Sequence, residues 1–216
     1  MSERKKGGCM DRETLALYAI TDSRLAKEQS FYEQIEDALK GGVTLLQLRE
    51  KNMGEEDLLK EALEVQKICK KYRVPLIIND DVELAKKINA DGVHVGQSDL
   101  DAGTARTILG PDKIIGVTAK TVEQARAAQR AGADYLGSGA IFGTGTKPDA
   151  KPMTMELLRE IVNAVDIPVV AIGGIDSSNA YKLAKTGIAG IAVVNGIFGK
   201  NDCCAAAREL KAVCLQ

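Results

Sequence analysis

Two rhythms of hydrophobic and polar positions alternate along almost the whole chain. Short apolar, β-prone runs are separated by longer stretches in which apolar residues recur at helical spacing. Residues 15–20 form the first run, ended by Thr21-Asp22. Residues 31–40 place Ile35, Ala38 and Leu39 on one helical face, and Gly41-Gly42 stops them. The alternation then predicts strands over residues 42–46, 74–78, 92–95, 113–118, 135–138, 167–172 and 190–194. Helices are predicted over 31–40, 55–72, 82–88, 101–109, 122–131, 155–165, 177–186 and 203–213, with a long loop at 139–152.

Eight strand–helix units of this kind force parallel pairing through right-handed crossovers. No GxGxxG follows the first strand, and no Gly/Pro/Ser-rich linker divides the chain. The pattern therefore predicts an α/β fold, a single closed (β/α)8 TIM barrel with parallel strands. Its expected extent is 15–216, behind a flexible N-terminal head at 1–14.

Composition narrows the function. Across 216 residues, 29 Lys and Arg face 30 Asp and Glu, so no basic stripe or acidic tail points to nucleic acid or a membrane surface. Aromatic residues make up only 4% and Trp is absent, which disfavours a platform for stacking bases. The five cysteines show no CxxC spacing and read as ordinary reduced thiols. The first residues are polar, and no run approaches the ~20 apolar residues of a membrane span. These features predict a cytoplasmic protein acting on small molecules.

In barrels of this class the chemistry lies at the C-terminal ends of the strands. Strand two ends in Gln47-Leu48-Arg49-Glu50-Lys51, whose alternation puts Gln47, Arg49 and Lys51 on one side and Glu50 on the other. Cations at such a place need an anion. Strand three ends in Asn79-Asp80, strand four in Gln97 and Asp99, and strand five at Thr118. Strand six leads to Thr144-Gly145-Thr146-Lys147, a hydroxyl- and amide-rich loop suited to an oxyanion. Gly173-Gly174 and Val194-Asn195-Gly196 close strands seven and eight, the usual phosphate position of these barrels. Asp80 and Asp99 end adjacent strands, and paired hard oxygens suit Mg2+ shared with a substrate phosphate. Asp81 is expected to cap the helix that follows. His94, the single histidine, reads as a packed or hydrogen-bonded core residue. No nucleophile stands out, so the set suits stabilising a departing diphosphate.

Six pieces together resemble the thiamine-phosphate synthase family, in that family's order: Gln47-Leu48-Arg49-Glu50-Lys51, Ile78-Asn79-Asp80, His94 to Asp99, Gly116-Val117-Thr118-Ala119, Thr144 to Lys147, and Ala171 to Ile175. The resemblance implies a transferase of thiamine biosynthesis that joins hydroxymethylpyrimidine diphosphate to thiazole phosphate and releases diphosphate. It implies that Gln47 holds the pyrimidine and that Arg49, Lys51, Asn79, Thr118 and Lys147 bind the diphosphate. Arg49, Lys51 and Lys147 are then the catalytic cations. Mg2+, the implied cofactor, would sit on Asp80 and Asp99. Thr144, Thr146, Gly174, Val194 and Asn195 would hold the thiazole phosphate, with Glu50 of the first motif counted among the substrate-binding residues. The implied reaction is dissociative: diphosphate leaves first, and the thiazole nitrogen captures a pyrimidine cation. A homodimer is compatible with the family.

Two positions depart from the family pattern. Asn195-Gly196 stands where a serine and a small residue are common, and Thr118 stands where serine is common. A thiazole tautomerase of the same superfamily would use a histidine for proton transfer, whereas Lys120 follows Thr118-Ala119 here and the sole histidine is His94. A decayed binding barrel would lack the carboxylates or cations. An epimerase would want an acid–base pair and an aldolase a lysine buried mid-strand.

Overall fold

Each β-prone run becomes a strand, and the eight strands close on themselves in sequential order, β1 to β8. In a computed structural model that describes residues 10–26, 29–51, 53–143 and 152–214, they are β1 (Leu17–Ile20), β2 (Leu45–Leu48), β3 (Leu76–Asn79) and β4 (Gly92–Val95). The second half comprises β5 (Ile114–Thr118), β6 (Tyr135–Gly139), β7 (Val169–Ile172) and β8 (Gly190–Val193). All neighbours are parallel, and β1 closes the ring, with Tyr18 paired to Leu45 on β2 and to Ala192 on β8.

The helices are α1 (Arg12–Leu15), α2 (Phe31–Lys40), α3 (Glu55–Tyr72), α4 (Val82–Lys87) and α5 (Ala102–Leu109). They continue with α6 (Val122–Arg130), α7 (Met155–Asn163), α8 (Asn195–Phe198) and α9 (Cys203–Cys214). Several start where a side chain takes an orphan amide. Ser30 and Glu33 form a reciprocal capping box on α2, and Asp81 accepts from the Leu84 amide to start α4. Asp101 and Thr121 cap α5 and α6 in the same way.

Alternation along the strands divides the core in two. Leu46, Leu48, Ile78, Val93, Leu136 and Ala171 face the helices, where they pack on Ile35, Val65, Ala105 and Leu158. Tyr18, Leu45, Ile77, Tyr135, Val170 and Ala192 fill the barrel interior, closed below by Met10 and Leu15. The barrel is thus a packed core with one open end.

Three segments differ from the sequence expectation. Residues 177–186 hold only a 3-10 turn, Ala180–Leu183, instead of a helix. Asp176 Oδ1 accepts from the Ser178 amide and hydroxyl, and Asn179 bonds to the Asp176 amide and the Gly174 carbonyl, so side chains take the bonds a helix would need. Asn195–Phe198 is an unpredicted helical turn after β8. At the start, residues 1–9 lie outside the described residues, but α1 packs under the barrel, with Arg12 donating to the Gly187 and Ile188 carbonyls. Met10 is buried, so the packed chain begins before residue 15.

Candidate active site

The strand ends enclose a cavity of about 700 Å3 at the C-terminal mouth of the barrel. Gln47, Arg49 and Lys51 line it together, as strand alternation requires. Asn79, Asp80, Asp99 and Thr118 line it from β3, β4 and β5, and Gly174, Val194 and Asn195 from β7 and β8. Thr144, Thr146 and Lys147 lie outside the described residues.

Glu50 is not among the lining residues. It points to the other side of the strand, where its carboxylate accepts from the Thr21 hydroxyl and from the amide and hydroxyl of Ser23. Its visible work is to brace the turn after β1. The grouping of Glu50 with residues that touch substrate therefore lacks a contact in this geometry.

Arg49 is buried, and its Nε has no hydrogen-bond partner among the described residues. Thr21 holds the Arg49 backbone amide at 2.9 Å, which fixes the strand end but leaves the guanidinium facing the cavity. The nearby carboxylate of Asp22 is engaged elsewhere, in a two-point pair with Arg24 at 2.7 and 2.6 Å. That pair, together with the field of Arg49, holds the Asp22 carboxyl below its ordinary range. A buried cation with an unpaired donor at the wall of a cavity is costly unless an anion completes it.

Asp80 adopts a left-handed backbone at φ 62°, a conformation that aspartate tolerates better than most residues. Its amide donates to the His94 carbonyl at 2.8 Å, tying the end of β3 to β4. Asn79 Nδ2 donates to Asp80 Oδ2 at 2.6 Å, and Asp99 Oδ2 accepts from the Gly96 amide at 2.7 Å. Two carboxylates held this way at one mouth, beside cations that favour phosphate oxygens, are a donor set that fits a hard divalent ion. No cluster of three metal-ligating side chains occurs among the described residues, so such an ion would depend on its ligand for further oxygens.

On the opposite side, Gly173 and Gly174 have φ of 105° and 65°. A Cβ on Gly174 would sit 2.4 Å from the Gly143 carbonyl oxygen, so only glycine lets the two loops approach. The short α8 begins at Asn195 beside them, matching the extra helix that serves phosphate in many such barrels.

Sequence reading missed several residues at this mouth. Lys120 and Lys200 line the cavity, while Gln97, already expected at the end of strand four, donates to the Thr118 carbonyl at 2.6 Å. At its floor Tyr18 and His94 line the space, with Tyr135 behind them. No motif signals the lysines. The aromatic residues read as strand filler, and their hydroxyls were the overlooked signal. The cysteines described in the helices stand apart: burial pushes the Cys69 thiol up to about 12 and the Cys203 thiol up to about 11.

Comparison with known proteins agrees with this fold. The family model described as thiamine monophosphate synthase matches residues 17–197. The chain is 54% identical to the thiamine-phosphate synthase of Clostridium acetobutylicum, over 84% of this chain and 86% of that one. It is 49% identical to that of Methanobrevibacter smithii, over 94% and 97% respectively. The solved thiamine phosphate pyrophosphorylase of Pyrococcus furiosus superposes with a TM-score of 0.87 at 39% identity, covering 94% of this chain and 97% of its own. The geranylgeranylglyceryl phosphate synthase of Thermoplasma acidophilum, at 17% identity and a TM-score of 0.69, shares the fold alone. On sequence, fold and strand-end residues together, the chain belongs to the thiamine monophosphate synthase family.

Proposed function

We propose that this chain joins 4-amino-5-hydroxymethyl-2-methylpyrimidine diphosphate to 4-methyl-5-(2-phosphooxyethyl)thiazole in the cytoplasm. It is a transferase that forms thiamine phosphate. The observation that carries the site assignment is Arg49, buried at the cavity with an uncompleted Nε.

The C–O bond to the diphosphate breaks, and its electron pair leaves with the diphosphate oxygen. The exocyclic amino group donates electron density to the pyrimidine cation that remains. The thiazole nitrogen then supplies its lone pair to the methylene carbon, forming the C–N bond. No proton leaves that nitrogen, so no base is required. Arg49, Lys51, Asn79 and Thr118 receive the developing negative charge, with Lys147 added from the loop after β6. Asp80 and Asp99 would hold Mg2+, which neutralises charge on the leaving group when bound. Gln47 would orient the pyrimidine, and Gly174, Val194 and Asn195 would seat the thiazole phosphate, the group to which Thr144 and Thr146 are also assigned.

The test is turnover by purified protein with both substrates, with and without Mg2+, scoring diphosphate and thiamine phosphate. Mg2+-dependent appearance of both is the expected result. Tight binding of thiazole phosphate with no product would remove the coupling reaction.

A further inference from the structure

A continuous chain of hydrogen bonds crosses the barrel floor. Gln47 Nε2 meets the Tyr18 hydroxyl at 2.5 Å, and the Tyr18 and Tyr135 hydroxyls meet at 2.8 Å. Tyr135 then reaches His94 Nδ1 at 3.0 Å, and His94 Nε2 reaches Thr118 Oγ1 at 3.0 Å. The slot for it is built. A Cβ on Gly116 would lie 2.3 Å from the Tyr135 hydroxyl and 2.5 Å from His94 Nδ1, so glycine alone leaves room for the pair.

The protons in this chain can be counted. Both tyrosines are buried, and burial pushes their phenols upward, so each keeps one proton to donate. Tyr18 receives the Gln47 amide, so among the described residues its own proton has only Tyr135 to go to. Tyr135 must then donate to His94 Nδ1. A neutral imidazole accepting at Nδ1 carries its proton on Nε2, and that N–H donates to Thr118 Oγ1. The Thr118 proton is thereby turned into the cavity as a donor. At the other end, an amide that spends Nε2 on Tyr18 keeps Oε1 as an acceptor.

We infer that Tyr18, Tyr135 and His94 are positioning residues forming one polarised relay. It sets Gln47 to accept from an amino-bearing ring and Thr118 to donate to the leaving anion. The assignment of the two ends to pyrimidine and diphosphate rests on the synthase reading. The polarity itself rests on the Gln47 amide donating to Tyr18 and on each buried tyrosine having one proton to pass on. Reversing any member would turn the wrong face of both end groups to the ligand, which gives the floor a role beyond filling space.

Because His94 is the only histidine, its ring nitrogens report the polarity without overlap. In 15N-labelled full-length protein without substrate, at a pH where the ring is neutral, the expected spectrum shows protonated Nε2 and proton-free Nδ1. A protonated Nδ1, or tautomers averaging freely, would overturn the relay. Tyr135→Phe removes the donor to Nδ1, so the tautomer should average and kcat fall about tenfold, with the thiazole-phosphate KM unchanged. Tyr18→Phe leaves Tyr135 donating to His94, so the tautomer should hold while the pyrimidine-diphosphate KM rises about tenfold. Identical kinetic losses in both, with the tautomer fixed in both, would reduce these residues to packing and contradict the inference. The failures are separable: a correct tautomer without thiamine phosphate sinks the synthase reading, and turnover with the wrong tautomer sinks the relay.

Discussion

The two ends of this barrel are built from the same strands under opposite rules. At the N-terminal end Met10 and Leu15 seal the interior, and an arginine, Arg12, spends its donors on the Gly187 and Ile188 carbonyls. At the C-terminal end another arginine, Arg49, is buried with a donor left open, beside an aspartate in left-handed backbone and two positive-φ glycines. The sealed end is satisfied chemistry and the mouth is deferred chemistry. What the mouth lacks in internal pairing is the shape of its ligand. Stability and reactivity are thereby assigned to different ends of one sheet.

The largest test of that division is Asp80. Asp80→Asn keeps a side chain that tolerates the left-handed backbone but removes the charge. Steady-state kinetics should show turnover falling about a thousandfold, or ~4 kcal/mol of transition-state stabilisation, with little change in melting temperature. Near-normal turnover would take Asp80 out of the chemistry. At the opposite end, Leu15→Ala should cost about 3 kcal/mol and ~9 °C in melting temperature. Its turnover per folded molecule should be retained, and a matching loss of kcat would blur the two ends.

A smaller effect comes from neither end. On α3, burial and then the field of Glu50 raise the Glu61 carboxyl from its ordinary 4.5 to about 7, and Glu61 Oε1 has no partner among the described residues. The folded carboxyl thus holds its proton more tightly than an unfolded glutamate does. Between those two values the native state binds the extra proton, so stability falls as pH rises through that window. Discounted for partial exposure, the penalty is about 1 kcal/mol. Glu61→Gln should then raise the melting temperature by roughly 2–4 °C near pH 8 and by much less near pH 5. An equal gain at both pH values would assign the effect to packing.

The sequence showed the mouth more clearly than the floor. Gln47, Arg49 and Lys51 break an apolar run at every second position, which is conspicuous, and a polar residue ending a parallel strand has few bland explanations. Asp81 as a cap was equally visible, because a helix start needs an acceptor at that position. His94 read as a packed or hydrogen-bonded core residue, but Tyr18 and Tyr135 gave no such sign. In a strand they read as bulk, and their meaning depends on hydroxyls from β1 and β6 meeting across the barrel interior. Residues 177–186 misled for the opposite reason: apolar spacing favoured a helix, while Asp176 and Asn179 captured the local amides. Glu50 shows the limit of carrying a whole motif across. Strand alternation already turned it away from its neighbours, and the fold keeps it there.

The most direct measurement sets Arg12→Ala beside Arg49→Ala, reading kcat/KM and melting temperature on each preparation. Arg12→Ala is expected to melt roughly 3–5 °C lower with kcat/KM intact, having lost only its bonds to the carbonyls below the barrel. Arg49→Ala is expected to lose about a thousandfold in kcat/KM and to melt at the same temperature or higher, since it removes an incompletely paired buried cation. A stability loss with normal turnover in Arg49→Ala would contradict the account, because it would make the open donor at the mouth part of the frame.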